Sequence, residues 1–249
     1  KKVPVFTIAE IGLCHNGSVR QCKKLIEEAA LNGFSSAKIQ TFSKGRISKN
    51  TKSARYFEET LDQEISLADE LDNLIFSVEQ LEEIFTFGKT LNIEVFSTPF
   101  DIASVELLHS LGVPGFKISS MDVQNAPLLR CVFAKKLPVI ISTGMATLGD
   151  IERVCEIAKE HHCPELAFLH CVSAYPCPLS AAGLKRITEL QRSFDFVVGY
   201  SDHTEEIETP SIAVAVGARI IEKHVTLSRL QSGPDHSFSC NPKEMKIYV

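Results

Sequence analysis

The sequence predicts an α/β chain folded as a (β/α)8 TIM barrel, and three observations predict it. Eight short apolar stretches, at 5–9, 37–40, 94–97, 115–118, 138–142, 167–170, 196–199 and 218–222, read as buried parallel strands. Segments with apolar residues at helical spacing lie between most of them, at 21–32, 78–91, 102–111, 127–135, 148–161, 182–194 and 206–217. Polar side chains gather directly after the strands, and the carboxyl ends of parallel strands are where such sheets do their chemistry. An eight-stranded doubly wound sheet fits less well. Glu10-Ile11-Gly12 follows the first strand, where a dinucleotide fold would place G-x-G-x-x-G.

Taken in order, each strand end offers candidates. The first ends on Glu10, and the helix after it stops at Asn32-Gly33-Phe34, a glycine stop leading into the next strand. The second strand carries Lys38, Gln40 and Thr41. A polar, charge-rich stretch at 43–77, containing Tyr56-Phe57-Glu58-Glu59, is too long for an ordinary loop. It is expected to be a partly helical excursion over the barrel mouth, either a lid or a solvated decoration. The third strand ends in Ser97 and Thr98, and its helix stops at Leu111-Gly112-Val113. The fourth carries Lys117, with Ser119, Ser120 and Asp122 beyond it. The fifth runs into Ser142-Thr143-Gly144, the sixth into His170, Ser173 and Tyr175, the seventh into Ser201 and His203, and the eighth into Glu222 and His224.

Composition narrows the function classes. A chain of 249 residues with 44% hydrophobic content can bury one large core, so a single barrel domain over 1–249 is the simplest organisation. The net charge of −5, with basic residues dispersed, argues against a nucleic-acid partner. No apolar run is long enough to span a bilayer, so no membrane is expected. The eight cysteines form no C-x-x-C pair, which predicts reduced, mostly buried thiols and a cytoplasmic location.

Two residue pairs carry the chemistry. Lysine inside an apolar strand is costly to bury without an anion, so Lys38 and Lys117 call either for an anionic substrate or for ion pairs with a barrel carboxylate such as Glu10 or Glu222. A Schiff-base lysine is a competing use of the same positions. His203 and His224 follow adjacent strands, so both imidazoles can approach one ion with other positions open to water or substrate. Two neutral histidines in a polar pocket are the alternative. His109, His161 and His162 lie at helix positions and read as surface residues.

Ten segments carry a resemblance. They are Ala9-Glu10-Ile11-Gly12, His15-Asn16-Gly17, Lys38-Ile39-Gln40, Ser97-Thr98-Pro99-Phe100-Asp101, Lys117-Ile118-Ser119-Ser120, Ile141-Ser142-Thr143-Gly144-Met145, Leu169-His170-Cys171-Val172-Ser173-Ala174-Tyr175-Pro176, Val198-Gly199-Tyr200-Ser201-Asp202-His203-Thr204, Glu222-Lys223-His224-Val225-Thr226 and Gly233-Pro234-Asp235-His236. In this order they resemble the sialic acid synthase family, the phosphoenolpyruvate-dependent synthases of nonulosonic acids, across almost the whole chain.

The resemblance implies condensation of phosphoenolpyruvate with the open-chain aldehyde of an N-acetylated hexosamine, with loss of phosphate. It implies a divalent metal, Mn2+ or Mg2+, on His203 and His224. Lys38, Thr98, Lys117, Ser120, Ser142, Ser173 and Ser201 would hold the phosphate and carboxylate of phosphoenolpyruvate. Gln40 and Tyr175 are further candidates for substrate contact. Glu10, Asp122 and Asp235 would face the sugar, and any of them could move the proton. Ser173 and Asp122 stand where some neuraminate synthases carry Asn and Glu. Asp202 and His236 stay outside the metal set. Members usually append a small antifreeze-like domain that a swapped homodimer places over the partner's site, whereas this sequence stops at Val249. A homodimer is therefore expected. Another phosphoenolpyruvate or pyruvate synthase or aldolase, and a barrel that only binds sugar, remain open alternatives.

Overall fold

The computed structural model describes residues 4–43, 55–58, 63–66 and 71–249. In chain order the elements are β1 (Phe6–Gly12), α1 (Val19–Leu31), β2 (Ser36–Thr41), β3 (Arg55–Glu58), β4 (Gln63–Ser66), α2 (Val78–Thr90), β5 (Glu94–Pro99), α3 (Ile102–Ser110), β6 (Phe116–Ile118), α4 (Ala126–Ala134), β7 (Val139–Ser142), α5 (Leu148–Glu160), β8 (Leu166–His170), α6 (Lys185–Ser193), β9 (Val197–Asp202), α7 (Thr209–Ala215), β10 (Ile220–His224) and α8 (Pro242–Tyr248). Eight parallel strands close in the order β1-β10-β9-β8-β7-β6-β5-β2, while β3 and β4 pair as an antiparallel ribbon. The expected TIM barrel is present.

Local chemistry starts the helices where the sequence supplies caps. The side chains of Ser18, Ser77, Asp101, Asn125, Thr147 and Asn241 each accept a backbone N–H in the first turn of the helix that follows. At α2, α5 and α8 the residue three positions on closes the reciprocal bond. The last helix, α8, had no counterpart among the expected helices, although Asn241 followed by Glu244 is a capping-box pattern in the sequence. Most of the excursion at 43–77 lies outside the described residues. Its described part is the β3–β4 ribbon with one helical turn at 71–73. Tyr56, Phe57 and Ile65 are β-favouring residues and suit such a ribbon.

Side-chain alternation along the strands divides the molecule into two apolar layers and one polar one. Outward-facing Ala9, Ile11, Ala37, Ile39, Phe116, Ile118, Ile141, Phe168, Val198 and Ile221 pack under the helices in the main core. Inward-facing Ile8, Phe96, Ala167, Leu169 and Ile220, with Ile140 against them, fill the barrel's lower interior. Gly199 occupies the same inner face because a Cβ there would collide with the Ile220 carbonyl and the Leu169 side chain. Above this plug the inward positions turn polar: Glu10, Lys38, Thr98, Lys117, Ser142, Ser201 and Glu222 are all buried. The apolar plug thus forms a floor for a charged layer at the carboxyl ends of the strands.

Leu169→Ala should open a void that neighbouring strands cannot collapse into, costing about 2–5 kcal/mol. Phe6→Ala removes a side chain that is 38% exposed and should cost about 1 kcal/mol or less. Denaturant unfolding of the two variants checks the contrast, and equal losses would show that the barrel interior is not a packed layer.

Candidate active site

The charged layer is built around Glu222 on β10. Its Oε1 accepts the Ser201 hydroxyl at 2.7 Å and lies 3.5 Å from Lys117 Nζ, while Oε2 lies 3.6 Å from Lys38 Nζ. Lys38 also pairs with Glu10 at 2.5 Å and donates to Thr98 Oγ1 at 3.0 Å. Lys117 donates to Ser142 Oγ at 2.7 Å, and Gln40 donates to Glu10 Oε1 at 3.1 Å. Strand register brings these groups together: Glu10 is the pairing partner of both Lys38 and His224, Gln40 of Thr98, and Glu222 of Ser201. The two lysines therefore meet the barrel carboxylates, the ion-pair option open from the sequence, and they do so beneath an open cavity.

Burial sets the electrostatics, and the charges sort the four groups. Burial penalises the Glu222 carboxylate, but Lys117, Lys38 and the Ser201 hydroxyl overcome this and bring it down to about 2. Burial likewise opposes the Lys38 ammonium, and the adjacent Glu10 and Glu222 carboxylates outweigh it, holding Lys38 above the usual lysine value. Lys117 is pushed below that value by burial, with Glu222 opposing and Lys38 adding to the shift. Glu10 is raised by burial, against Lys38 and with help from Glu222. Of the two glutamates at the floor, Glu10 is the one that takes a proton more readily.

The opposite wall carries the histidines. His203, directly after β9, directs Nδ1 to the Val172 carbonyl at 2.7 Å, so that nitrogen bears the proton. Its Nε2 lies 3.4 Å from Ser201 Oγ, whose single proton goes to Glu222, so the Nε2 lone pair has no donor. His224 closes β10, with its ring 5.6 Å from that of His203 and its buried Nδ1 without a hydrogen bond. Burial, followed by His203 and Lys38, lowers His224 well below the usual histidine range, so both rings are neutral. Glu222 Oε2 is likewise buried without a hydrogen bond, whereas Glu10 Oε2 is buried against the Lys38 ammonium. Among the described residues no set of three or more His, Cys, Asp or Glu side chains is arranged as a metal cluster. Two neutral imidazoles with unused nitrogens fit a site that leaves further positions to water or substrate, and His203 and His224 are the pair that could hold an ion.

Asp235 arrives from the loop after β10. It accepts the Leu13 N–H at 3.2 Å through Oδ2, which lies 3.6 Å from His224 Nδ1. This approach requires Gly12, whose φ of +52° favours glycine and whose added Cβ would stand 2.8 Å from Asp235 Oδ2. The Tyr175 ring lies 4.1 Å from that of His203, and Phe238 packs 5.2 Å from His224 and 5.4 Å from Tyr175.

The resulting cavity, of about 220 Å³, is lined by Glu10, Lys38, Gln40, Thr98, Lys117, Ser119, Ser120, Ser142, Tyr175, Ser201, His203, Glu222, His224 and Asp235 from the sequence candidates. Ser173 and Asp122 do not line it. Ser173 stands at the rim with its hydroxyl 3.2 Å from that of Ser120, and Asp122 accepts from Asn125 in the turn before α4. Leu13, Phe100, Met121 and Cys171 also line the cavity and had not been singled out. Polar strand ends alone do not find them. Cys171 was legible by parity with Ala167 and Leu169, whereas Phe238 lies in a tail with no periodic signal. Asp202 and His236 point elsewhere: Asp202 pairs with Lys223, and His236 joins Thr226 to Asn16. All eight cysteines are free thiols. No described helix is long and apolar enough to cross a membrane.

A model of the NeuB family matches residues 25–249. The N,N'-diacetyllegionaminic acid synthase of Campylobacter jejuni is 40% identical over 243 residues, covering 96% of this chain and 73% of that protein. A pseudaminic acid synthase from the same species is 34% identical, covering 98% and 72%. Among solved structures, an N-acetylneuraminic acid synthetase from Leptospira borgpetersenii, in complex with citrate, superposes with a TM-score of 0.89 at 35% identity over 98% of this chain and 81% of that one. A family match over most of the chain, with relatives of this identity aligned along nearly all of it, shows that the chain belongs to the NeuB family.

Proposed function

We propose that this chain joins phosphoenolpyruvate to the open-chain aldehyde of an N-acetylated hexosamine, giving a nine-carbon 2-keto-3-deoxy sugar acid and inorganic phosphate. The observation that carries the reading is the pair of buried ammonium groups, Lys38 and Lys117, set beside the hydroxyls of Thr98, Ser142 and Ser201 at the floor of the cavity. Two cations with flanking hydroxyl donors suit a ligand bearing both phosphate and carboxylate. The names of the relatives, synthases of legionaminic, pseudaminic and neuraminic acids, support this product class.

Charge balance gives the remaining residues their roles. With Glu10 and Glu222 both ionised, the two carboxylates cancel the two ammonium groups and leave no net attraction for a multiply charged anion, so binding is favoured when Glu10 takes up a proton. The protonated Glu10, held by Gln40, then donates to the aldehyde oxygen as carbon three of the enol attacks the aldehyde carbon. Water adds at carbon two and gives one proton back to Glu10; as the second passes to the departing phosphate, the bond between carbon two and the phosphate oxygen breaks and the 2-keto group forms. Asp235 orients sugar hydroxyls, and Tyr175 and Phe238 limit water at the imidazole wall. His203 and His224 would hold a divalent ion, Mn2+ or Mg2+, which when bound would supply Lewis-acid polarisation and positive charge to balance the incoming anion. Ser120 and Ser173 at the rim are the next candidates for substrate hydroxyls or phosphate, and Asp122 would reach the sugar only beyond that rim. The free thiols support a cytoplasmic setting, and a homodimer remains the expected assembly.

One observation favours a second reading. The Lys117 amine, pushed down by burial, is a better nucleophile than an exposed lysine, as Schiff-base aldolases require.

Incubation with phosphoenolpyruvate, Mn2+ and a panel of N-acetylated aldoses should release phosphate and form a keto acid in equal amounts. No phosphate from any aldose would leave a sugar-binding barrel. Lys38→Met and Lys117→Met should each weaken phosphoenolpyruvate binding by about 30–150-fold in calorimetry, as loss of a charge-assisted contact worth about 2–3 kcal/mol requires. A borohydride-trapped pyruvate adduct at either lysine would instead establish the aldolase reading. His203→Ala and His224→Ala should each lower Mn2+ affinity by on the order of 100-fold or more, beyond what outer partners of a metal site contribute. Wild-type Mn2+ affinity in both would remove these histidines from the metal site.

A further inference from the structure

Behind the imidazole wall, on the outer face of the same two strands, lies a second buried ion pair. Asp202 and Lys223 are register partners on β9 and β10, with Asp202 Oδ2 3.3 Å from Lys223 Nζ and both residues at most 2% exposed. Asp202 Oδ1 accepts the Thr204 N–H at 2.9 Å and the Thr204 hydroxyl at 2.8 Å, and Oδ2 accepts the Tyr248 hydroxyl at 2.9 Å. Lys223 also donates to the Thr204 carbonyl and lies 5.5 Å above the Tyr248 ring. Thr204 is held in turn by Thr209 at the start of α7, and Tyr248 belongs to α8. No side-chain polar atom of the pair is left without a partner, and neither residue lines the cavity.

Strand alternation places this pair directly behind the site. Asp202 is flanked by inward-facing Ser201 and His203, and Lys223 by inward-facing Glu222 and His224. Thr204, tied to both members, lies immediately after His203, and the His203 carbonyl accepts the Cys177 N–H at 2.8 Å. The backbone on either side of His203 is therefore fixed to the neighbouring strand at the level of His224. An ion pair buried in this way is a poor source of net stability compared with apolar side chains of the same volume. Its directional bonds do what apolar packing cannot: they hold two adjacent strands in one register at one residue level.

The geometry points to the Asp202–Lys223 pair, with Thr204 and Tyr248, as a positioning device that sets the separation and orientation of the His203 and His224 imidazoles across the barrel wall. This inference rests on the metal assignment proposed above. The group acts through the backbone of two strands and touches no substrate.

The test compares the wild type with Tyr248→Phe, Lys223→Met, Lys223→Arg and Ile141→Val, the last a methyl deletion on the outer face of β7, away from β9 and β10. Mn2+ affinity is titrated by electron paramagnetic resonance, phosphoenolpyruvate affinity by calorimetry without metal, and the imidazole resonances of His203 and His224 are recorded in metal-free protein. Tyr248→Phe and Lys223→Met should shift or broaden both imidazole signals and weaken Mn2+ binding about tenfold, as loss of an outer partner of a metal site does. Phosphoenolpyruvate affinity, set mainly on β2, β5, β6 and β7, should stay within about twofold. Lys223→Arg should recover part of the Mn2+ affinity because it keeps the charge. Ile141→Val should lower the unfolding midpoint and leave all three readouts unchanged. If Lys223→Met does not fold, Tyr248→Phe, which loses a single hydroxyl, carries the comparison. Wild-type imidazole signals and Mn2+ affinity in Tyr248→Phe, or equal changes in Ile141→Val, would overturn the proposal. A wild type that takes up no Mn2+ would defeat the metal assignment alone, since the metal-free imidazole spectra still decide whether the pair positions the rings.

Discussion

The shared Glu222 carboxylate is the constraint on which the rest of the site depends. One buried anion reaches Lys38, Lys117 and Ser201 from three different strands, and its low pKa shows that the two ammonium groups more than offset its burial. It is the nearest carboxylate to Lys117 and the second, after Glu10, to Lys38, so it offsets the burial of both ammonium groups. The same carboxylate pushes the Glu10 carboxyl upward and occupies the Ser201 proton, which leaves His203 Nε2 with its lone pair. Floor and wall are thus electrostatically linked through a single side chain.

This arrangement needs a floor and a closed wall. The apolar plug of Ile8, Phe96, Leu169 and Ile220 excludes water from below, which strengthens each ionic contact above it. Closure of the sheet leaves no edge, so no strand is free to slide and move its inward set to the other face. The boundary between plug and charged layer falls within one strand repeat, between Ile8 and Glu10 and between Ile220 and Glu222. Along the chain the change is one inward residue to the next.

On the outer side the same alternation has a different result. Tyr200, Asp202 and Lys223 are as deeply buried as the core aliphatics, yet they face helices and not the cavity. In Ser201-Asp202-His203 and Glu222-Lys223-His224 the outer residues face α8 while the flanking ones face the cavity, so adjacent residues serve separate environments. The C-terminal helix α8 belongs to this outer network through Tyr248 as much as to the core through Met245.

Much of this was determined by the sequence alone. Apolar runs of strand length alternating with helical periodicity specify the eight barrel strands, because burial on both faces demands unbroken apolar stretches. Lys38 and Lys117 within such runs, and His203 and His224 at consecutive strand ends, mark the site because charge and imidazole at those places must meet partners. The tertiary structure alone decided which partners they meet. Glu222 as a hub, Asp235 reaching across to Leu13, and Phe238 against His224 join residues far apart in sequence, and no local pattern records such pairings. Parity decided the rest: whether Asp202 or His203 faces the cavity depends on strand register, which is set by how eight strands close around one plug.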